Sequence, residues 1–395
     1  MNIVILHRIP FRKIRYDLAV DHRQHTVRYL SAADGLDELP ADAERRLLGV
    51  PTDDIQAMIE RHGDWLADAD RLIARSEYDL LPAALLREKF GIPGDLPGAV
   101  LPVRDKWLMR TLAERAGIPQ PAFRSVEAFR ADPPREGTYL IKPRLEASST
   151  GIELGPADVV LERLDACPDP DAVFVEEFVP GEIWHLDGCL RDGELVALVS
   201  SVYVGDCLAY AHGSPLGSAQ TSDHPEAVDL LRRTLAALGQ RHGCFHFEAI
   251  REPDGRFRFL ETASRIGGAG VAETFELRTG VDLYQADLRY QLWGDTGPVE
   301  PRPAQDHYGW FVFPGHHRTE RAAVDFDPQR FGTRLRSYVR NTRPAAHAGR
   351  ISYATAATPL SGVVQGSAPE VRRTLGEILT QPAGAPSGPA VMEQR

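Results

Sequence analysis

Apolar and polar positions along this chain fall into short runs with two distinct periods. Asn2 to Leu6 (NIVIL) is apolar and rich in β-branched residues, which reads as a buried parallel strand, and Arg71 to Ala74 (RLIA) reads as a second. Helical spacing lies between and after them, most clearly from Leu80 to Phe90, so the first hundred residues or so form an open α/β unit. Ligands of such sheets bind beyond the carboxyl ends of the strands. The Gly/Pro-rich stretch Gly91 to Gly98 (GIPGDLPG) marks a boundary. A helix follows from roughly Arg104 to Ala116, with Leu108, Leu112 and Ala116 on one stripe and Gly117 and Pro119 ending it. Strand-like segments then alternate with loops (TYLIK, GIEL, AVFVEEFV, LVALVSSVYV). A helix spans Glu226 to Arg241, and CFHFEAI and RFRFLET flank the turn EPDG. The last third is β-rich, broken by Gly and Pro, and its final fifteen residues are expected to be disordered. The chain thus divides into segments 1–98, 99–180, 181–300, 301–380 and a tail, 381–395.

Composition narrows the classes. At 395 residues and 43% hydrophobic content, the chain can bury the cores of two or three domains. No run approaches the roughly 20 apolar residues needed to span a bilayer, and MNIVILHRIP meets charge too early for a signal peptide, so a cytoplasmic protein without membrane contact is expected. The four cysteines (Cys167, Cys189, Cys207, Cys244) lack CxxC spacing, which suggests neither a zinc site nor a disulfide framework. A net charge of −11 without a basic cluster argues against nucleic acid as a partner. Only four lysines (Lys13, Lys89, Lys106, Lys142) stand among 41 arginines, so a retained lysine is more apt to need a compact ammonium than a planar fork.

The most informative segment is CFHFEAIREPDGRFRFLETASR. A two-residue hairpin loop at Asp254-Gly255 would place Glu248 opposite Glu261 and His246 opposite Ala263, with Phe257 and Phe259 on the Glu261 face. Two bare carboxylates about 4.5–5.5 Å apart at their Cβ atoms repel, so a cation should lie between them. Two carboxylates, phosphate oxygens and water make a usual Mg²⁺ shell. Pro253 cannot donate a closing hydrogen bond and would widen the loop. A surface hairpin with solvated glutamates is the plain alternative. Elsewhere, TYLIKP presents Lys142 at a strand end before the loop Ala147-Ser148-Ser149-Thr150-Gly151, whose small residues would let backbone N–H groups approach phosphates. Lys106 sits in a first helical turn, where a cation opposes the helix dipole and a bound anion would compensate.

Taken in order, RDKWLMRTLAERAGIPQP, YLIKPRLEASSTGI, VEEFVPGEIWHLDG, HFEAI and FLETASRIGGAG resemble the ATP-grasp superfamily, and more narrowly its carboxylate–amine and L-amino-acid ligases, over roughly Leu101 to Val281. The resemblance implies a mixed α/β (α+β) fold: an N-terminal Rossmann-like open sheet, a nucleotide-binding lid and core, and a β-rich C-terminal part. It implies ATP as nucleotide and Mg²⁺ as metal, with Mn²⁺ as a substitute. By the same resemblance Lys106 and Lys142 match the lysines on the nucleotide phosphates and the adenine side. Ser148, Ser149, Thr150 and Gly151 match the phosphate cover, and Glu176 with the backbone of Glu177, Phe178 and Val179 matches the adenine-reading segment. Glu182 lies near a ribose-binding glutamate, with Ile183 the alternative on that column. Glu248 and Glu261 match the metal pair, and Arg265 matches an arginine that steadies the transferring phosphate and the substrate carboxylate. Many members read Glu-x-Asn where this chain has Glu261-Thr262-Ala263, and alanine cannot ligate. His246, opposite Ala263, is either a packed core residue or a neighbour of the metal.

The implied reaction is ATP-dependent activation of a small-molecule carboxylate as an acyl phosphate, followed by attack of an amine, with ADP and phosphate released. Arg265 and Lys142 are its expected catalytic residues, and the Gly267, Gly268 and Gly270 backbone would help hold the oxyanion. Alternatives are a biotin-carboxylase-like carboxylase and a nucleotide-binding module without turnover. Arg75, Glu77 and a His212 to Gln220 loop are candidate specificity elements, the first two being equally readable as internal ion pairs. A homodimer is left open.

Overall fold

The computed structural model describes residues 1–316, 324–341, 351–353 and 357–380; the tail 381–395 lies outside the described residues. Among the described residues the strands form three sheets. In the first, β1 (Asn2–His7), β2 (Thr26–Ser31), β3 (Glu44–Leu47) and β4 (Arg71–Ala74) run parallel in the order β3-β2-β1-β4. A parallel sheet needs both faces covered. Val4, Leu6, Leu30 and Leu72 pack against helices Ile55–Ala67 and Leu80–Phe90, while Ile3, Ile5, Tyr29 and Ile73 share a core with Phe275, Leu283 and Leu288 from much later in the chain.

The second sheet is antiparallel: β5 (Phe123–Arg124), β6 (Thr138–Pro143), β7 (Glu153–Pro156) and β8 (Val173–Glu177), in the order β5-β8-β6-β7. Helix Ala157–Asp165 covers one face through Val160 and Leu164, which meet Ile141 and Val175. Helix Lys106–Arg115 precedes this sheet, capped by the Asp105 carboxylate, which accepts from Trp107 and Leu108 N–H. Its buried side is Met109, Arg110 and Ala113 rather than the Leu108/Leu112/Ala116 stripe expected from spacing, and Ala116 is exposed. Arg110 is the reason. Its guanidinium is held inward by the buried Glu176 carboxylate, so the face that carries it is the buried one.

The third sheet is antiparallel and has eight strands: β9 (Glu182–Arg191), β10 (Glu194–Val204), β11 (Leu216–Thr221), β12 (Gly243–Arg251), β13 (Phe257–Ala263), β14 (His307–Val312), β15 (Leu335–Arg340) and β16 (Leu360–Gly366), ordered β13-β12-β9-β10-β11-β14-β16-β15. The strands of segment 301–380 therefore extend the core sheet, β14 pairing onto β11. One face is apolar: Trp184, Leu186, Phe245, Phe247 and Phe259 pack under helix Pro225–Ala237. The other is covered at one end by helices Val271–Thr279 and Leu283–Trp293, over Cys189 and Cys244, and opens into a cavity at the other. All four cysteines are free thiols. Among the described residues no helix is long and apolar enough to cross a membrane.

The β12–β13 hairpin differs from expectation in two ways. Glu252 N–H donates to Arg256 and Gly255 N–H to Glu252, both at 2.9 Å, so Pro253, Asp254 and Gly255 form a three-residue loop. Leu260 is then an extra residue in a β-bulge, after which the pairing is Glu248↔Glu261, Phe247↔Thr262 and His246↔Ala263. Because the bulge flips the alternation, Phe257 and Phe259 pair with Arg251 and Ala249 on the apolar face, opposite to the Glu261 face expected for them.

Candidate active site

Register places the chemistry on one face of the large sheet. In a strand every second side chain shares a face, and the pairings His185↔Glu248, Asp187↔His246, Ser201↔His185 and Tyr203↔Ser218 bring Glu248, His246, His185, Asp187, Ser201, Tyr203 and Ser218 together. Glu248 accepts from Tyr203 Oη at 2.8 Å and meets His246 Nε2 at 3.1 Å. Glu261 stands beside Lys106, with Nζ 3.4 Å from its Oε2. Burial pushes the Glu261 carboxyl up, but Lys106, Lys142, His246 and Arg265 outweigh it and hold its pKa at about 2. Burial likewise opposes charge on His246, yet Asp187 and Glu248 raise it to about 10. Burial opposes charge on Asp187 too, but the imidazoles of His246 and His185 hold its carboxyl well below the usual carboxylate range.

The opposite wall comes from the lid sheet. Lys106 donates to the Glu146 carbonyl at 2.6 Å, which ties the start of its helix to the segment before the serine loop. Lys142, at the end of β6, is 5% exposed and donates to Glu176 Oε1 at 2.9 Å, while Arg110 holds Oε2 at 2.5–2.7 Å. The Glu176 carboxylate is thus occupied by two cations, and one of its oxygens holds Lys142. Between the walls lies a cavity of about 250 Å³, lined among others by Lys106, Lys142, Glu248, Glu261 and the Ser148–Thr150 turn. Ser148 and Ser149 both adopt φ of 57°, a left-handed backbone that costs side-chain-bearing residues of order 1–2 kcal/mol each. Glu177, Phe178 and Val179 line the same cavity, and Phe178 is 42% exposed.

Glu182 is not brought to this cavity. It falls on the other strand parity, paired in register with Arg251, and its carboxylate meets Arg372 of helix Ala368–Leu379; Ile183 takes the cavity wall. The expected His212 to Gln220 loop is a strand from Leu216 on, and Gln220 is spent on structure, donating to Thr274 O and accepting from Tyr308 N–H. Arg75 is buried in an ion pair with Asp287 and donates to Ser264 O at 3.0 Å.

Arg265 follows β13 and is clamped from the N-terminal unit. Glu77, just past the carboxyl end of β4, pairs with its Nε, and Arg265 Nη1 donates to Ile266 O at 2.8 Å. Arg104 lies 3.4 Å from the other Glu77 oxygen, so this carboxylate joins three parts of the chain. Burial opposes its charge, and Arg265, Arg104 and Lys106 nevertheless draw its pKa down. In the following loop, a Cβ on Gly267 would come 2.8 Å from His246 Nδ1, and one on Gly270 would come 2.5 Å from Trp310 Cβ. These two glycines are needed for close packing. Lys13 donates to the Ala269 carbonyl of the same loop at 2.9 Å.

Of the polar face behind Glu248, the hairpin register alone points only to His246. A signal exists: H-L-D (185–187), H-F-E (246–248), S-V-Y (201–203) and S-A-Q (218–220) each put polar residues at period two around a buried apolar one. Four such triplets mark a strand face that is buried yet polar.

No family model matches the chain. It is 24% identical over 272 residues to the L-arginine-specific L-amino acid ligase of Bacillus subtilis, an alignment covering 63% of this chain and 64% of that one. The chain therefore spans slightly less than two thirds of that relative's length. Its structure superposes on the L-amino acid ligase from Bacillus licheniformis with a TM-score of 0.70 at 15% identity, covering 95% of this chain and 96% of the other. The carboxyaminoimidazole ribonucleotide synthase from Aspergillus clavatus, solved with ATP, superposes with a TM-score of 0.68 at 14% identity, covering 95% and 97%. The fold is the ATP-grasp fold. Within that class its resemblance is to the L-amino-acid ligase type.

Proposed function

We propose that this chain is an ADP-forming ligase that activates a small carboxylic acid, most simply an amino acid, as an acyl phosphate and joins it to an amine, which a second amino acid would supply. The observation that carries this reading is the facing of two walls: the opposed Glu248–Glu261 pair on the core sheet, and Lys106, Lys142 and the serine loop across the cavity. The donor set suits Mg²⁺, or Mn²⁺ in its place, because two carboxylates leave the remaining oxygen positions to phosphate and water. When bound, the ion would neutralise charge on the phosphate oxygens.

The chain's own groups account for the rest. Glu177 to Val179 line the base end of the cavity, and Lys142, held by Glu176, supplies a fixed point charge for the phosphates. The Ser148–Gly151 turn covers them. A carboxylate is a poor acyl donor because oxide is a poor leaving group. Its oxygen therefore attacks the γ-phosphorus, the bond to ADP breaks, and the acyl phosphate forms while Arg265 and Lys142 offset charge on the equatorial oxygens. The neutral amine then adds to the acyl carbon, the oxyanion is met by Arg265 and the Gly267, Gly268 and Gly270 backbone, and its collapse expels phosphate with the original carboxylate oxygen while the proton lost from nitrogen goes to the departing phosphate or to water.

Neither the carboxylase reading nor the inactive-module reading is favoured, since a sequence relative and a structural neighbour are both named L-amino acid ligases. The test is ADP release across a matrix of amino-acid pairs, with mass spectrometry of the products. ADP and an amide of the combined mass, formed only when acid and amine are both present, is the expected result. Bicarbonate-dependent ADP release without an amine, or ATP binding without turnover on any pair, would contradict it.

A further inference from the structure

Behind Glu248 runs an unbroken chain of buried polar contacts that the reaction above does not itself use. His246 Nε2 meets Glu248 Oε1 at 3.1 Å, and its Nδ1 meets Asp187 Oδ1 at 2.7 Å. Asp187 Oδ2 meets His185 Nδ1 at 2.6 Å, and His185 Nε2 meets Ser218 Oγ at 2.6 Å. His246 is 6% exposed, Asp187 2% and His185 1%. Room for the chain is made by small residues: Ala263 stands opposite His246, and a side chain on Gly267 would collide with both His246 and Asp187.

Two functions fit three such donors. His185, Asp187 and His246 each offer one ligand atom within 4.8 Å of the others, a grouping that could itself hold a metal ion. Against this, the two Asp187 oxygens are each engaged by a different imidazole nitrogen, and the outer nitrogen of His185 is engaged by Ser218, so the cluster is already satisfied. The alternative is a bracket. A glutamate facing another carboxylate across a hairpin is pushed away by it and has three side-chain torsions through which to swing. Here Tyr203 Oη and His246 Nε2 both act on Glu248 Oε1, which pins the carboxylate and leaves Oε2 as the oxygen for a cation.

We infer that Asp187 and His246 are positioning residues: Asp187, bridging two imidazoles, fixes the ring of His246, and His246 fixes the Glu248 carboxylate in a metal-ready orientation. This rests on the reading of Glu248 and Glu261 as the metal pair. Partners that orient a metal ligand typically change metal affinity by about 10–100-fold when removed.

The experiment measures Mn²⁺ binding to the full chain with saturating ADP and no acid substrate, from the electron paramagnetic resonance signal of free Mn²⁺. Metal-free ADP binding and thermal melting serve as parallel readouts. His246→Leu should weaken Mn²⁺ about tenfold or more with ADP binding unchanged, and His246→Gln, which keeps an N–H toward Glu248, should recover most of the loss. Asp187→Asn reads the same contact one step back, in a side chain of equal size, and should weaken Mn²⁺ by a smaller factor. Mn²⁺ affinity within twofold of the parent in folded His246→Leu or, should that variant not fold, in Asp187→Asn, while Glu261→Ala binds none, would overturn the positioning role alone. Unchanged affinity in Glu261→Ala would overturn the metal pair and this inference with it.

Discussion

Glu261→Ala should reduce ADP formation by about a hundredfold or more, the scale on which a single preorganised electrostatic group acts at a reacting centre. Glu261 is opposed to Glu248, reaches the cavity, and lies 3.4 Å from Lys106, so its loss removes half of the carboxylate pair and takes this carboxylate away from the Lys106 ammonium. The fold should survive, because the Glu261 side chain is 34% exposed on the last strand of the sheet and its truncation opens no void in an apolar core. A coupled ADP assay beside a melting curve checks both halves. Parent-like turnover in the folded variant would remove Glu261 from the site.

Arg265→Lys should be nearly as damaging, in a different parameter. The guanidinium is held at one edge by Glu77 and at another by the Ile266 carbonyl, a geometry that a single ammonium cannot reproduce. Because Arg265 is assigned to charge that develops during both half-reactions, kcat should fall about a hundredfold while the dissociation constant for ADP changes by less than about threefold. Equal losses in nucleotide affinity and kcat would instead place Arg265 among the ground-state nucleotide contacts.

Part of this site could be read from the sequence, and the reasons are physical. The opposition of Glu248 and Glu261 is legible because alternation and turn chemistry are local. It also survives two departures that cancel, a loop one residue longer than expected and a bulge one residue long on the returning strand. The same bulge puts Phe257 and Phe259 on the face opposite to the one strict alternation predicts, since a shift of one residue reverses sides. Lysine scarcity was informative too. Lys106 and Lys142 line the cavity and Lys13 touches the Ala269 carbonyl, leaving Lys89 in the last turn of helix Leu80–Phe90.

What stayed hidden depends on neighbours distant in the chain. Arg110 is buried because of Glu176, 66 residues later, and no periodicity within the helix could show that. Glu77 and Arg265 meet across 188 residues. The polar face of His185, Asp187, Ser218, His246 and Glu248 exists only because the sheet order sets β12 beside β9, with β10 and β11 following. Glu182 differs from Ile183 by one position and therefore by a whole face, and only the strand's pairing decides which of the two faces the cavity.

In the proposed reaction a carboxylate oxygen passes to phosphate on the way to an amide. With an ¹⁸O-labelled carboxylate substrate in the coupled reaction, the label should appear in free inorganic phosphate, one oxygen per amide formed, and the nucleotide product should be ADP. Label in AMP, with pyrophosphate as the second product, would contradict the account even if the amide were made.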